Sequence, residues 1–156
     1  MNLCCRWMFL LLGLGLVGCS AASSPRVKNT PYTIKGVRYQ PFTVAEARSI
    51  DEVGMASWYG PDGGFFGWFG GSEITANGET VTSRSLSAAH RLLPLPSLVE
   101  VTNLRNGRRV KLRVNDRGPF IHGRLLDVSS RAAEKLGFKG DGLTEVRVRV
   151  LQVGDS

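Results

Sequence analysis

Between Arg109 and Val114 charged and aliphatic residues alternate without a break, with Arg109, Lys111 and Arg113 on one parity and Val110, Leu112 and Val114 on the other. Successive side chains of an extended chain point to opposite faces, so a period of two predicts a half-buried β-strand with a basic outer face. The pattern returns from Thr144 to Val153, where Val146, Val148 and Val150 interleave with Glu145, Arg147 and Arg149. Further strands are expected over Val53–Gly60, Leu98–Asn103 and Gly123–Val128, and Asn106-Gly107 predicts a hairpin between Leu98–Asn103 and Arg109–Val114. Ser129 or Ser130 is placed to cap a helix that runs through Leu136 and ends at Gly137. Ser87–Leu93 allows a single helical turn that Pro94 stops. Many short strands with one or two short helices predict a small, mainly-β barrel.

The N-terminus reads as an export signal. Arg6 precedes an apolar run, Trp7 to Val17, too short to span a bilayer as a mature helix. Leu16-Val17-Gly18-Cys19 and the Ser/Ala stretch after it resemble the bacterial lipobox, in which the cysteine thiol is diacylated after cleavage. The expected organisation is a lipoprotein signal over 1–18, a lipidated N-terminus and tether over 19–52, and one barrel domain over 53–153. Acylation at Cys19 would anchor the protein to a membrane without spanning it. Ser20 in place of aspartate favours the outer membrane, facing the periplasm. Within the tether, Lys35-Gly36 predicts a small hairpin over Pro31–Tyr39, and Thr43 with Glu46 predicts a capping box for a short helix to Ser49.

This processing decides which chemistries remain open. Cys4 and Cys5 leave with the signal and Cys19 is consumed by lipid, so no thiol is left for a disulfide or a metal. His90 and His122 are far apart and in no ligand-spaced pair, so neither a metal nor a cofactor is expected. No Gly-x-Ser-x-Gly elbow is present to carry a serine nucleophile. The net charge of +7, from which Arg6 leaves with the signal, suits an anionic polymer outside the cytoplasm or simply solvates the strand faces. Nucleic acid is not an expected partner, because no recognition helix or stacking platform accompanies the charge.

Carboxylates are the remaining candidates. Asp116 follows the Arg109–Val114 strand in Val114-Asn115-Asp116-Arg117-Gly118-Pro119 and keeps the parity of the inward set. If the chain stays extended there, its carboxyl points toward the apolar side at the rim of the sheet, where desolvation favours the protonated form. Asp116 could equally cap its own turn. Glu79 is held by the Asn77-Gly78 turn just before it, and could equally be a solvated surface residue. His90 suits either a backbone hydrogen bond in a half-buried corner or contact with a substrate. The Gly- and aromatic-rich loop over 61–73, with Phe65, Phe66, Trp68 and Phe69, could stack on sugars, dock an envelope protein, or plug the barrel end.

Five ordered motifs resemble the rare lipoprotein A family: Gly54-x-Ala56-Ser57-Trp58-Tyr59-Gly60, Thr75-Ala76-Asn77-Gly78-Glu79, Ala88-Ala89-His90-Arg91-x-Leu93-Pro94, Val101-Thr102-Asn103, and Val114 to Pro119 with Gly123-Arg124-x-x-Asp127-x-Ser129. The resemblance covers about residues 53 to 152. It implies a six-stranded double-psi β-barrel and an endolytic lytic transglycosylase that prefers peptidoglycan strands lacking stem peptides. Such an enzyme cleaves between N-acetylmuramic acid and N-acetylglucosamine without water, leaving a 1,6-anhydro end. The resemblance assigns Asp116 as acid then base and Glu79 as the second catalytic carboxylate, or the two exchanged. Substrate-binding roles are implied for His90, Arg117, Asn115, Asn77 and Tyr59, while Arg113 and Asp127 are more plausibly structural. Arg117 is a difficulty, since a guanidinium beside Asp116 would disfavour the acid form, unless it points to the opposite side and holds a lactyl carboxylate. Many members carry a SPOR domain that binds denuded glycan; none is expected within this sequence, and the 61–73 loop is longer than usual. A non-catalytic, expansin-like binding module and a structural envelope lipoprotein are the alternative functions.

Overall fold

A computed structural model describes residues 29–60 and 74–154. The expected signal and its Cys19, the aromatic loop over 61–73 and the last two residues lie outside them.

The chain begins with the predicted hairpin, β1 (Tyr32–Ile34) against β2 (Val37–Tyr39). Lys35 and Gly36 both take positive φ, 49° and 78°, as a two-residue primed turn requires. Helix α1 (Val44–Arg48) follows, with Thr43 and Glu46 forming the reciprocal capping box. These elements are docked on the barrel rather than trailing from it: Ala47 is fully buried, and Phe42 and Ile50 pack against the core.

Six strands close the barrel: β3 (Asp51–Tyr59), β4 (Ser87–Ala89), β5 (Ser97–Asn103), β6 (Arg109–Asp116), β7 (Arg124–Ser129) and β8 (Thr144–Val153). Their order around the barrel is β3-β7-β4-β6-β5-β8, with β3·β7 and β4·β6 parallel and the other pairs antiparallel. Closure leaves no free edge among these strands. Helix α2 (Ser130–Leu136) has Ser129 as its N-cap and left-handed Gly137 at its C-terminus, and it packs on β3, β6 and β7. Alternation in β8 is as expected, with Thr144, Val146, Val148 and Val150 buried and Glu145, Arg147 and Arg149 exposed. The core joins those valines to Val99, Val101, Leu112, Val114, Leu126 and Val128 from the facing strands.

Two local expectations are corrected. Ser87–Leu93 does not form a helical turn: Ser87, Ala88 and Ala89 are a buried central strand, paired with β6 on one side and β7 on the other. Alanine favours helix locally, but here the segment lies between two strands that offer its backbone partners on both sides, so tertiary context wins. Asp116 does not keep the inward parity of Val114. Ala88 pairs with Val114 and Ala89 with Asp116, so Asn115 is an extra residue on β6. That bulge moves Asp116 to the face opposite Val114 and the barrel core.

Candidate active site

The turn over 75–79 rests on the end of β6 and joins two carboxylates to one frame. The Asn77 amide donates to the Asn115 carbonyl (3.1 Å), and the Ala76 amide to Oδ1 of Asp116 (2.9 Å). Asp116 Oδ1 also accepts from the amide of Arg117 (2.8 Å). Burial pushes the Asp116 carboxyl above the usual carboxylate range, and the two amide bonds and the Arg117 charge offset only part of that rise.

Glu79 sits in the opposite environment. Arg113 Nε reaches Oε1 at 2.9 Å and Oε2 at 3.2 Å, Asn115 Nδ2 donates to Oε2 at 2.8 Å, and Asn77 Nδ2 to Oε1 at 2.6 Å. Burial raises its pKa, but these bonds outweigh it and the carboxyl lies below its ordinary value. The arrangement has a polar cost, because the amide oxygens of Asn77 and Asn115 are buried without a hydrogen-bond partner among the described residues. The turn thus ties to one frame two carboxyls whose pKa values are displaced in opposite directions, Asp116 upward by burial and Glu79 downward by its hydrogen bonds.

Tyr59 ends β3 with its hydroxyl 2.8 Å from Ser87 Oγ, buried, and its ionisation is suppressed first by burial and further by the charges of Asp116 and Asp127. Asp116 and Asp127 both pair with Ala89, one from each side, roughly 10 Å apart by two strand spacings. Asp127 is only 3% exposed and accepts a short hydrogen bond from Ser57, with Arg124 Nη1 at 3.9 Å. Burial raises its pKa too, but Asp127 is almost fully enclosed, whereas Asp116 is only partly buried.

The remaining implied residues separate. His90 follows Ala89, and its amide donates to the Asp116 carbonyl (3.1 Å). The His90 ring is buried, and Nδ1 accepts from the amides of Leu92 (3.1 Å) and Leu93 (2.9 Å), which leaves the proton on Nε2. Burial, with Arg91 and Arg117 nearby, takes its pKa down to about 3. The imidazole realises the backbone hydrogen bonding that its position allowed. Arg117 turns onto carbonyl oxygens, with Nη1 2.6 Å from that of Leu93. Sequence reasoning did not anticipate that Arg113, one of the cations on the basic face of its strand, pairs with Glu79, because only the folded 75–79 turn brings the two together.

Residues 51–148 match the lytic transglycolase family of double-psi β-barrel domains. The chain belongs to that family. Among proteins similar to this member, the endolytic peptidoglycan transglycosylase RlpA of Campylobacter jejuni is 45% identical over 139 residues, covering 88% of this chain and 47% of that protein. RlpA of Pseudomonas aeruginosa strain UCBPP-PA14 is 49% identical over 122 residues, covering 78% of this chain and 33% of that protein. This member of the family therefore spans about half or less of the length of those curated relatives. Its fold is also similar to that of the Streptomyces papain inhibitor, with a TM-score of 0.51 at 19% identity over 67% of this chain and 96% of the other. The six-stranded barrel expected from sequence is the fold observed.

Proposed function

We propose that this protein is an endolytic lytic transglycosylase that cleaves the bond between N-acetylmuramic acid and N-acetylglucosamine in peptidoglycan, preferring strands without stem peptides. The observation that carries the reading is the divergence of two neighbouring carboxyls, Asp116 held toward its protonated form by burial and Glu79 held ionised by Arg113, Asn115 and Asn77. Paired groups pushed apart in pKa mark acid and base assignments.

Asp116 donates its proton to the glycosidic oxygen as the C1–O bond breaks. The 6-hydroxyl oxygen of the same muramyl residue then bonds to C1, and its proton returns to Asp116. No water is consumed, and one residue serves as acid and then base. Glu79 stays ionised, either countering the positive charge that develops at C1 and the ring oxygen or orienting the sugar. Mass spectrometry of products from peptidoglycan, with and without prior amidase digestion, tests the proposal. Anhydro-ended products, more abundant after amidase, are expected; glycan binding without such products would leave an expansin-like module, and hydrolysed ends would exclude the cyclising step.

The anchor and the location belong to the same reading: lipidation at Cys19 holds the domain at the outer membrane, facing the periplasm. Cys19→Ser should move the protein from the membrane to the soluble fraction. A docking role for the 61–73 loop toward an envelope protein is tested by deleting the loop and comparing the partners recovered.

A further inference from the structure

Arg117 follows the acid directly, and a guanidinium in that place would pair with the Asp116 carboxylate and discourage protonation unless other groups hold it. Other groups do. Nη1 donates to the carbonyl oxygens of Leu93 (2.6 Å), Arg91 (3.3 Å) and His90 (3.4 Å), and Nη2 lies 3.5 Å from Asn29 Oδ1. Its Cζ stands over the Tyr32 ring, 5.4 Å from the centroid, within cation–π range. Among the described residues, the Asp116 carboxyl takes hydrogen bonds from the backbone amides of Ala76 and Arg117 only.

Tyr32 is itself fixed. Its hydroxyl donates to the Arg91 carbonyl (2.8 Å), its ring stacks on Tyr39 at 5.2 Å, and both rings meet Phe120 edge-on. Asn29 grips the same loop, accepting from the Leu95 amide at 2.7 Å and donating to the Leu95 carbonyl at 3.4 Å. Both residues precede the span 51–148 that matches the family. A two-stranded hairpin is marginal alone, so its persistence here depends on these contacts.

We propose that Tyr32 and Asn29 are positioning residues, through which the N-terminal hairpin holds the Arg117 guanidinium on the 90–93 carbonyls, away from the Asp116 carboxyl, and so keeps Asp116 available as a proton donor. The inference rests on the transglycosylase reading for its consequence and on the contacts above for its geometry. The other charged or titratable groups on this side are committed or distinct: Glu79 pairs with Arg113, Tyr59 bonds Ser87, Asp127 bonds Ser57, His90 accepts two amides, and Arg91 lies on the loop that Tyr32 holds.

Two readouts on the full chain test this. Carbon-13 carboxyl NMR follows the titration of Asp116, and the pH–rate profile on amidase-treated glycan strands follows its alkaline limb. In Tyr32→Ala both should move to lower pH by about one unit, the scale on which a freed cation acts on a nearby carboxylate. Tyr32→Phe keeps the ring over Arg117 and should move them far less. In an Arg117→Met background Tyr32→Ala should move neither. A folded Tyr32→Ala that lowers the rate equally at every pH, with Asp116 titrating unchanged, overturns the proposal. If Tyr32→Ala does not fold, Asn29→Ala is judged by the same criterion. Wild-type protein that forms no anhydro products refutes the transglycosylase reading, while the NMR titration still decides whether the hairpin governs Arg117.

Discussion

The Ala76 amide donates a 2.9 Å hydrogen bond to Oδ1 of Asp116, so the turn that carries Glu79 also orients the carboxyl proposed as the acid. Asparagine at 116 keeps an oxygen in that place and loses only the proton chemistry. Asp116→Asn is therefore expected to lower turnover by about 10²- to 10⁴-fold. It should also stabilise the fold at neutral pH. The folded carboxyl binds its proton more tightly than the unfolded one, so the wild type loses stability as pH rises from about 3.9 through the raised value. Thermal melts should show the variant ahead at pH 7 and the difference vanishing below about pH 3.9. A variant less stable at pH 7 would contradict this account.

Arg113 keeps Glu79 ionised, with Nη2 2.8 Å from Oε1. Arg113→Met should raise the Glu79 pKa and move the acid limb of the pH–rate profile to higher pH, while Glu79→Gln should lower turnover on the order of 100-fold. Both side chains are partly exposed, so the ion pair should contribute no more than about 1 kcal/mol to folding. A double-mutant cycle read by denaturation and by rate separates the two effects. Strong coupling in the rate with weak coupling in stability is the expected result.

His90 is buried and neutral, its Nδ1 accepting two amide bonds. Nitrogen-15 NMR should show Nε2 protonated and Nδ1 bare throughout pH 5 to 8, because its pKa is held down to about 3. A depressed histidine pKa also has a stability sign: the unfolded chain takes up a proton near pH 6.5 and the folded one does not, so stability falls as pH drops below that value. Titration of His90 between pH 5 and 8 would disprove the tautomer assigned to it.

The fold was legible where alternation was strict, as in β6 and β8, and where caps were local, as at Thr43 with Glu46 and at Ser129 with Gly137. It was illegible at β4, where the short segment Ser87–Ala89 becomes a strand only because β6 and β7 flank it. The bulge at Asn115 was hidden for the same reason, since an extra residue is defined by the partner strand and not by its own chain. The candidate carboxylates were visible as residues on constrained turns. The upward shift of Asp116 by desolvation was expected; the lowering of Glu79 was not legible, because it depends on Arg113, Asn115 and Asn77 converging on it across up to 36 positions of sequence.

Gly137 and Gly107 offer a contrast that isolates packing from backbone strain. Both take positive φ, 77° and 73°, where a Cβ costs about 1–2 kcal/mol. An added Cβ at Gly107 meets nothing within 4 Å, whereas at Gly137 it would approach Arg108 Nη1 to 2.7 Å and Asn106 Nδ2 to 2.9 Å. Arg108 is the end of a flexible side chain and can swing away. Asn106 Nδ2 donates to the Leu136 carbonyl at 2.9 Å, so displacing it loosens the end of α2. Gly107→Ala should therefore cost about 1 kcal/mol, and Gly137→Ala about 1 kcal/mol more, the typical net worth of one hydrogen bond. Urea denaturation with unchanged m-values would measure the difference, and equal costs at the two positions would show that Asn106 does not hold the helix end.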